Sequence, residues 1–303
     1  LILSMRPGEI HYPSPGGIRE EVQTCFVHVS ELDKMPTPQA PLMWSHGGQI
    51  RALDAHQLLR SAQVNGLSDH RLEMHIFSLM RKLAIDPGPW LGDRLQTLPH
   101  ARAVARAQLD LQPRRMFLSH PVQESPNFLK VVCHEYEELD LDGKVLHRGA
   151  LESVEPGKLS CQTAVALPMI YQNDQWWVGL ELDDLPAAQA FSGNSCLWVA
   201  PAWRLPHELL GQNQMRNWIG ERLLSQMRVT ALEWAPLGGP YFPSPGLTPE
   251  LVYPLAVRVE VEPDSSLGFF PLSDLMECWE DFRDGHLRCA LLRAHLAHSQ
   301  VET

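Results

Sequence analysis

From Asp69 to Leu83 the positions Leu72, His75, Ile76, Leu79, Met80 and Leu83 recur at steps of three and four. That spacing stacks side chains on one stripe and predicts a helix whose stripe faces a core. The run Asp86-Pro87-Gly88-Pro89 stops it, because proline has no N–H to continue the ladder. A second helix is predicted over Asp54-Ala55-His56-Gln57-Leu58-Leu59, entered from Ile50-Arg51-Ala52-Leu53, with Asp54 placed to cap its first N–H groups. Further helices fit 213–227 and 288–298, the latter with Leu291, Leu292, His295 and Leu296 on its apolar side. Residues 23–29, 130–136, 144–150, 160–171, 175–181, 196–200 and 253–262 carry strand composition. Asp142-Gly143 and Asn173-Asp174 supply hairpin turns for two of the pairs. Residues 30–45, with Pro36, Pro38 and Pro41, and residues 201–206 read as loops, and 99–113 as a polar helix or linker. Strands before and after helices at this density predict an α+β fold with a mixed sheet, not a doubly wound one.

One stretch occurs twice. Pro13-Ser14-Pro15-Gly16-Gly17-Ile18-Arg19-Glu20-Glu21-Val22 recurs as Pro243-Ser244-Pro245-Gly246-Leu247-Thr248-Pro249-Glu250-Leu251-Val252, with Pro, Ser, Pro, Gly, Glu and Val in register. A strand-like run follows each copy, and later an apolar helix preceded by a glycine. One structural unit is therefore expected to be partly duplicated.

Composition narrows the partners. The 303 residues are 44% hydrophobic and 20% charged, with a net charge of −11 and a pI near 5.7. That balance argues against a nucleic-acid backbone, whose binding rests on Lys and Arg neutralising phosphates. No apolar run approaches the roughly 18 residues of a membrane span, and Leu1 to Pro7 is too short for a signal peptide. Six scattered cysteines without a C-x-x-C pair read as buried reduced thiols. The expectation is a soluble cytoplasmic protein with no nucleic-acid or membrane partner. The missing initiator Met adds the expectation that the natural product's first residues precede Leu1.

From about 128 to 298 the order of parts resembles a Nudix domain of the ADP-ribose and nucleotide-sugar pyrophosphatase type. Asp142-Gly143-Lys144 sits at that family's first hairpin turn, Pro201-Ala202 at the turn before its Nudix helix, and Ser244-Pro245-Gly246 with Glu250 in its late loop. Gly285-His286-Leu287 opens the final helix in the same way. Residues 1 to about 85 resemble the latter part of such a domain. The resemblance implies a Nudix-like α/β/α sandwich: the C-terminal part of a first unit over 1–98, a linker over 99–127, and a complete unit over 128–303. It also implies a pseudo-dimer within the chain, or a homodimer.

The family's signature, G-x5-E-x7-R-E-U-x-E-E-x-G-U, clusters carboxylates on one helix face to hold divalent cations against a pyrophosphate. Laid from Pro201-Ala202, its glycine falls on Trp203, its first glutamate on Leu209, and Arg-Glu on Asn217-Trp218. Of the final glutamates Glu221 remains, Arg222 replaces the next, and Leu224 replaces the last glycine. One carboxylate beside an arginine is a poor Mg²⁺ site.

The resemblance thus implies Glu221 as a candidate metal ligand for weakly held Mg²⁺, and Glu221, Glu250 and Glu20 as candidate catalytic carboxylates. Trp203, Arg204 and Arg222 are candidate ligand contacts. Each has a plainer reading: Glu221 as an exposed helix glutamate, and Glu250 and Glu20 as caps for backbone N–H groups. His134, Glu135, Glu137, Glu138, Asp140 and Asp142 alternate along a hairpin and read as a solvated edge. Trp176, Trp177, Trp198, Trp203 and Trp218 offer surfaces that could stack a nucleobase, but most read as core, and Trp203, standing where the family has a glycine, reads as filling the phosphate site rather than serving it. Ser195 lacks the second glycine of a nucleophile elbow, Gly16-Gly17 and Gly238-Gly239 match no phosphate loop, and His46 has no partner motif. Two functions remain open: a ligand-binding or scaffold protein without Mg²⁺-dependent hydrolysis, or an active hydrolase cleaving a nucleoside diphosphate linked to another moiety. The second depends on a Nudix helix supplied from before Leu1.

Overall fold

The computed structural model describes residues 2–15, 19–30, 54–64, 69–112, 129–140, 142–209 and 211–298. The expected proline loop after Ser30, Ile50 to Leu53, His46, Gly16-Gly17 and residues 113–127 of the linker lie outside these. Strands β1 (Ile2–His11) and β2 (Val22–Val29) form an antiparallel hairpin, followed by helices α1 (Ala55–Gln63) and α2 (His70–Lys82). A second antiparallel pair, β3 (Leu129–Leu139) and β4 (Val145–Pro156), turns at Gly143 with φ +80°.

The remaining elements in chain order are β5 (Gln162–Gln172), β6 (Gln175–Asp184), α3 (Pro186–Ser192), β7 (Cys196–Val199), β8 (Ala202–Arg204), α4 (Gln212–Met227), β9 (Val229–Pro236), β10 (Leu251–Val261), β11 (Gly268–Pro271), α5 (Leu272–Glu277), a 3₁₀ turn at Trp279–Asp281, and α6 (Gly285–His298). The strands β5 to β11 make one seven-stranded sheet in the order β11-β6-β5-β10-β9, with β7 added to β6 and β8 to β5. Strand β10 runs parallel to β5 and the other pairings are antiparallel, so the sheet is mixed and the fold is α+β.

Both faces of this sheet are covered. Along β5, Val165, Leu167 and Met169 enter one core with α1, α2, α5 and α6, while Ala164, Ala166 and Ile170 enter a second core with α4. That is why β5 reads as a continuous apolar run instead of an alternating one. Helix α4 docks through Met215, Ile219, Leu223 and Met227, one residue per turn, and its other side is left to solvent.

Several expectations need correction. The buried side of α2 is His70, Glu73, Met74, Phe77, Ser78 and Met80, whereas Leu72, Leu79 and Leu83 are exposed. The true stripe contains polar residues, two of them with side-chain partners: Glu73 receives the Arg293 guanidinium of α6, and the Ser78 hydroxyl lies within hydrogen-bond reach of Glu9 and Glu280. Residues 99–112 form no helix. They lie along the sheet, with the His100 N–H donating to the Tyr171 carbonyl and the Ala107 N–H to that of Phe269. The loop expected over 201–206 contains β8, which pairs Ala202–Arg204 with Val165–Thr163. The final helix starts at Gly285 rather than Arg288, because Asp284 caps the N–H groups of His286 and Leu287. The six cysteines are free, but Cys25 and Cys133 are exposed rather than buried.

Candidate functional site

The sheet opens where β5 and β6 part. They pair only at their hairpin end, Met169 to Gln172 against Val178 to Gln175. Beyond it the N-terminal half of β5 takes β8, and the C-terminal half of β6 takes β7. A cleft of about 180 Å³ lies in the gap, with Glu181 and Asp183 from β6, Thr163 from β5 and Arg204 from β8 on its walls. Ser14 and Pro15 of the first proline loop close one side, and Glu250, Asp284 and His286 line another.

Glu250 is the anchor of this cleft. Only 2% of it is exposed, and it accepts hydrogen bonds from the Thr163 hydroxyl at 2.6 Å and the Ser14 hydroxyl at 3.1 Å. Arg204 approaches the same carboxylate at 3.5 Å, while its Nη1 is buried without a partner. A buried carboxylate needs such donors, since desolvation without them costs several kcal/mol. The carboxylate of Glu250 is thus held by side chains, and the Glu250 N–H donates to Thr248 Oγ1 at 3.3 Å.

Asp284 and His286 belong to the start of α6. Asp284 is buried, and burial raises its carboxyl above the usual range although it caps two N–H groups. His286 holds its Nδ1 at 3.0 Å from the buried Tyr241 hydroxyl. The residue is 7% exposed and lines the cleft.

Glu181 is the residue whose chemistry the sequence conceals. Burial, and then the neighbouring Asp183 carboxylate, push its pKa up to about 7. No basic side chain pairs with it among the described residues. Strand alternation puts Glu181 and Asp183 on one face of β6, two residues apart.

The other candidates lie elsewhere. Trp203 and Arg204 do line the cleft, with the Trp203 indole N–H donating to Gln226 at 2.9 Å. Glu221 and Arg222 are exposed on α4, outside the residues that line the cleft, and Arg222 stacks 4.7 Å over Trp218. Glu20 accepts the Ser244 hydroxyl at 2.8 Å and has Arg71 at 3.7 Å, and it too is absent from the cleft wall. Trp176 and Trp177 are buried in the two cores. The acidic hairpin strand β3 is exposed, with His134 at 2.9 Å from Glu155 and Glu137 at 2.8 Å from Arg148.

A divalent cation of the kind the resemblance implies does not fit this donor set. Among the described residues no group of three or more His, Cys, Asp or Glu side chains is placed to hold a metal ion. Glu221 has Arg222 as its neighbour, and Glu250 is already engaged by two hydroxyls and a guanidinium. No described helix is long and apolar enough to cross a membrane.

No family model and no curated protein sequence matches the chain. Among solved structures, the crystal structure of an ADP compounds hydrolase is similar over 62% of this chain and 95% of its own, with 16% identity and a TM-score of 0.39.

Proposed function

We propose that this chain is a Nudix-like protein related to the ADP-ribose and nucleotide-sugar pyrophosphatases whose cleft binds a nucleotide-type small molecule without the usual Mg²⁺-dependent hydrolysis. The observation that carries this reading is the isolation of Glu221. It stands exposed on α4 beside Arg222, which is committed to Trp218, and no second carboxylate joins it into a metal site among the described residues. Hydrolysis of a pyrophosphate draws its main charge stabilisation from metal-held oxygens. Incubation with ADP-ribose or a nucleotide sugar and Mg²⁺ should release nucleoside monophosphate no faster than the buffer control.

The same reading includes an internal pseudo-dimer. Its support is the exchange of hydrogen bonds between the two proline loops, Ser14 to Glu250 and Ser244 to Glu20. Tyr12 bridges in parallel to Asp284 as Phe242 does to Asp69, and α2 lies against α6. Residues 1–98 then act as the partner subunit of 128–303.

A second reading, an active hydrolase, has Glu181 in its favour, since a carboxyl titrating near 7 inside a cleft is suited to proton transfer. Efficient Mg²⁺-dependent product release, abolished by Glu250→Gln, Glu20→Gln or Glu181→Gln, would select it over the first.

A further inference from the structure

Among the described residues that line the cleft, Arg204 is the one arginine or lysine, and its guanidinium is under-used. Its side chain is 12% exposed, its Nη1 is buried without a partner, and the Glu250 carboxylate stands 3.5 Å from its Nη2. That gap exceeds the roughly 2.7–2.9 Å of a charge-assisted hydrogen bond. Glu250 has little need of a closer contact. Strand β8 pairs Arg204 opposite Thr163, and the Thr163 and Ser14 hydroxyls each hold one of the two Glu250 oxygens. A buried guanidinium nitrogen without an acceptor is costly, and an oxyanion is the group that would satisfy it.

We propose that Arg204 receives the phosphate of a nucleoside monophosphate, its guanidinium supplying the countercharge that a divalent metal would otherwise bring. This rests on the reading of the cleft as a nucleotide site and adds which group of the ligand is held, by what, and how many phosphates enter. A guanidinium presents its donors in a planar fork that matches two phosphate oxygens, and it stays charged at any working pH. A divalent cation needs several oxygen ligands at short, fixed distances, and the described residues do not bring three candidate ligands together.

The rest of the wall limits the ligand to one phosphate. Glu181, Asp183, Glu250 and Asp284 also line the cleft. Glu250 is engaged by hydroxyls, Asp284 by the N–H groups of α6, and Asp183 accepts the Asp184 N–H at 2.8 Å. Burial pushes Glu181 up to about 7 and raises Asp284, so these two carboxyls take up a proton more readily than ordinary ones when an anion approaches. One phosphate beside Arg204 is thereby compensated, whereas a second would face carboxylates with no further arginine or lysine on the wall. Size agrees with this. The cleft of about 180 Å³ is smaller than the roughly 300–1,000 Å³ of a site that encloses a whole drug-sized ligand, so the base remains toward the opening. Trp203, partly exposed and next to Arg204 in β8, is an aromatic surface of the kind on which bases stack.

The test compares AMP, ADP and adenosine, titrated calorimetrically into the full chain at pH 7.5, first in EDTA and then in Mg²⁺. In EDTA, AMP should bind about 10- to 100-fold more tightly than adenosine, the worth of hydrogen bonds between charged groups. Mg²⁺ should leave that ratio unchanged, and ADP should bind no more tightly than AMP. Inorganic phosphate should compete with AMP but not with adenosine. Arg204→Met should bring the AMP-to-adenosine ratio close to one, with circular dichroism reporting that the variant is folded. Should the methionine variant not fold, Arg204→Lys keeps the charge without the fork and should lower the ratio several-fold. A preference for AMP that appears only with Mg²⁺, or that is undiminished in both variants, overturns the proposal and leaves the binding cleft standing. Tighter binding of ADP than of AMP, or equal binding of AMP and adenosine, does the same. Binding by none of the three overturns it together with the ligand-site reading beneath it.

Discussion

The Ser14 hydroxyl donates to Glu250 at 3.1 Å across 236 positions of sequence. Its counterpart in the repeat returns the contact, Ser244 to Glu20 at 2.8 Å. Each proline loop thus supplies the hydroxyl that the other loop's glutamate needs. The two bonds differ in burial, since Glu250 is 2% exposed and the Glu20 side chain 27%.

That difference makes a prediction. Ser14→Ala removes one of two hydroxyl donors from a buried carboxylate and should cost about 1.5–3 kcal/mol, the range for hydrogen bonds to charged groups. Ser244→Ala affects a carboxylate that water reaches, and should cost about 1 kcal/mol or less. Urea denaturation of the two variants should show the larger shift of midpoint for Ser14→Ala. Equal shifts would mean that the reciprocal bonds are alike in energy despite their unequal burial.

The buried pair of Glu73 and Arg293 holds α2 against α6. Arg293 Nη2 lies 2.7 Å from Glu73, and Nη1 donates to the carbonyls of Leu237 and Gly239. The Glu73 carboxylate raises the Arg293 pKa further, so the guanidinium stays charged in the core. Glu73→Gln leaves that charge without its counterion and should destabilise by about 3–5 kcal/mol. The double variant Glu73→Leu with Arg293→Met should recover much of that loss, which thermal unfolding of the single and double variants would check.

Acid should weaken the fold through its buried imidazoles. Burial lowers His11 to about 3 and His298 to about 4, and it takes His70 well below its usual value. Their folded pKa values lie below the unfolded one near 6.5. The unfolded chain therefore binds more protons between these limits, and stability is full above about pH 6.5 and falls as pH drops towards 4. Each such histidine contributes at most about 1.4 kcal/mol per pH unit in that window.

Glu181 acts in the opposite sense. Its folded pKa of about 7 exceeds the usual 4.5, so the folded state binds the extra proton and gains stability as pH falls through 7. Glu181→Gln should remove that gain and steepen the loss between pH 7 and pH 5. Denaturation midpoints at both pH values for the two proteins measure it. An unchanged slope would mean that Glu181 titrates as an ordinary carboxyl.

Gly285 should tolerate no side chain. A Cβ there would stand 2.9 Å from the Tyr12 carbonyl oxygen, 3.1 Å from Pro13 Cα and 3.1 Å from His70 Nε2. Two of these neighbours are backbone of the proline loop and cannot swing aside. Gly285→Ala should therefore cost about 1–3 kcal/mol, the range for overpacking, and loosen Ser14 at the cleft. Reduced thermal stability with faster amide exchange at Tyr12 is the expected result.

Much of the backbone was legible along the chain because its causes are local. The left-handed turn at Asn173 and Asp174, the glycine turn at Gly143, the Asp54 cap and the apolar face of β5 depend on residues within a few positions of each other. The repeated Pro-Ser-Pro-Gly stretch was visible for the same reason, as a pattern of residue types. What α2 buries was not, because its stripe runs through His70, Glu73 and Ser78, polar residues that enter a core only when distant partners such as Arg293 and Glu9 satisfy them.

The site divides along the same line. Glu250, Trp203 and Arg204 could be named from their motifs, and the fold brings all three to one cleft. Glu221 and Arg222 share a helix with the docking stripe of α4, but lie off it on the exposed side, which a helix periodicity argument resolves only once the packed face is known. Glu181 carries no motif at all. Its character comes from the divergence of β5 and β6, which buries one carboxylate beside another, and burial of a charge is a property of surroundings assembled from strands far apart in sequence. The sequence by itself therefore determined many of the elements, the turns at Gly143 and at Asn173-Asp174, and the repeated stretch. The tertiary structure alone decided which polar groups are buried, which of them meet, and that the two serines cross over to each other's glutamates.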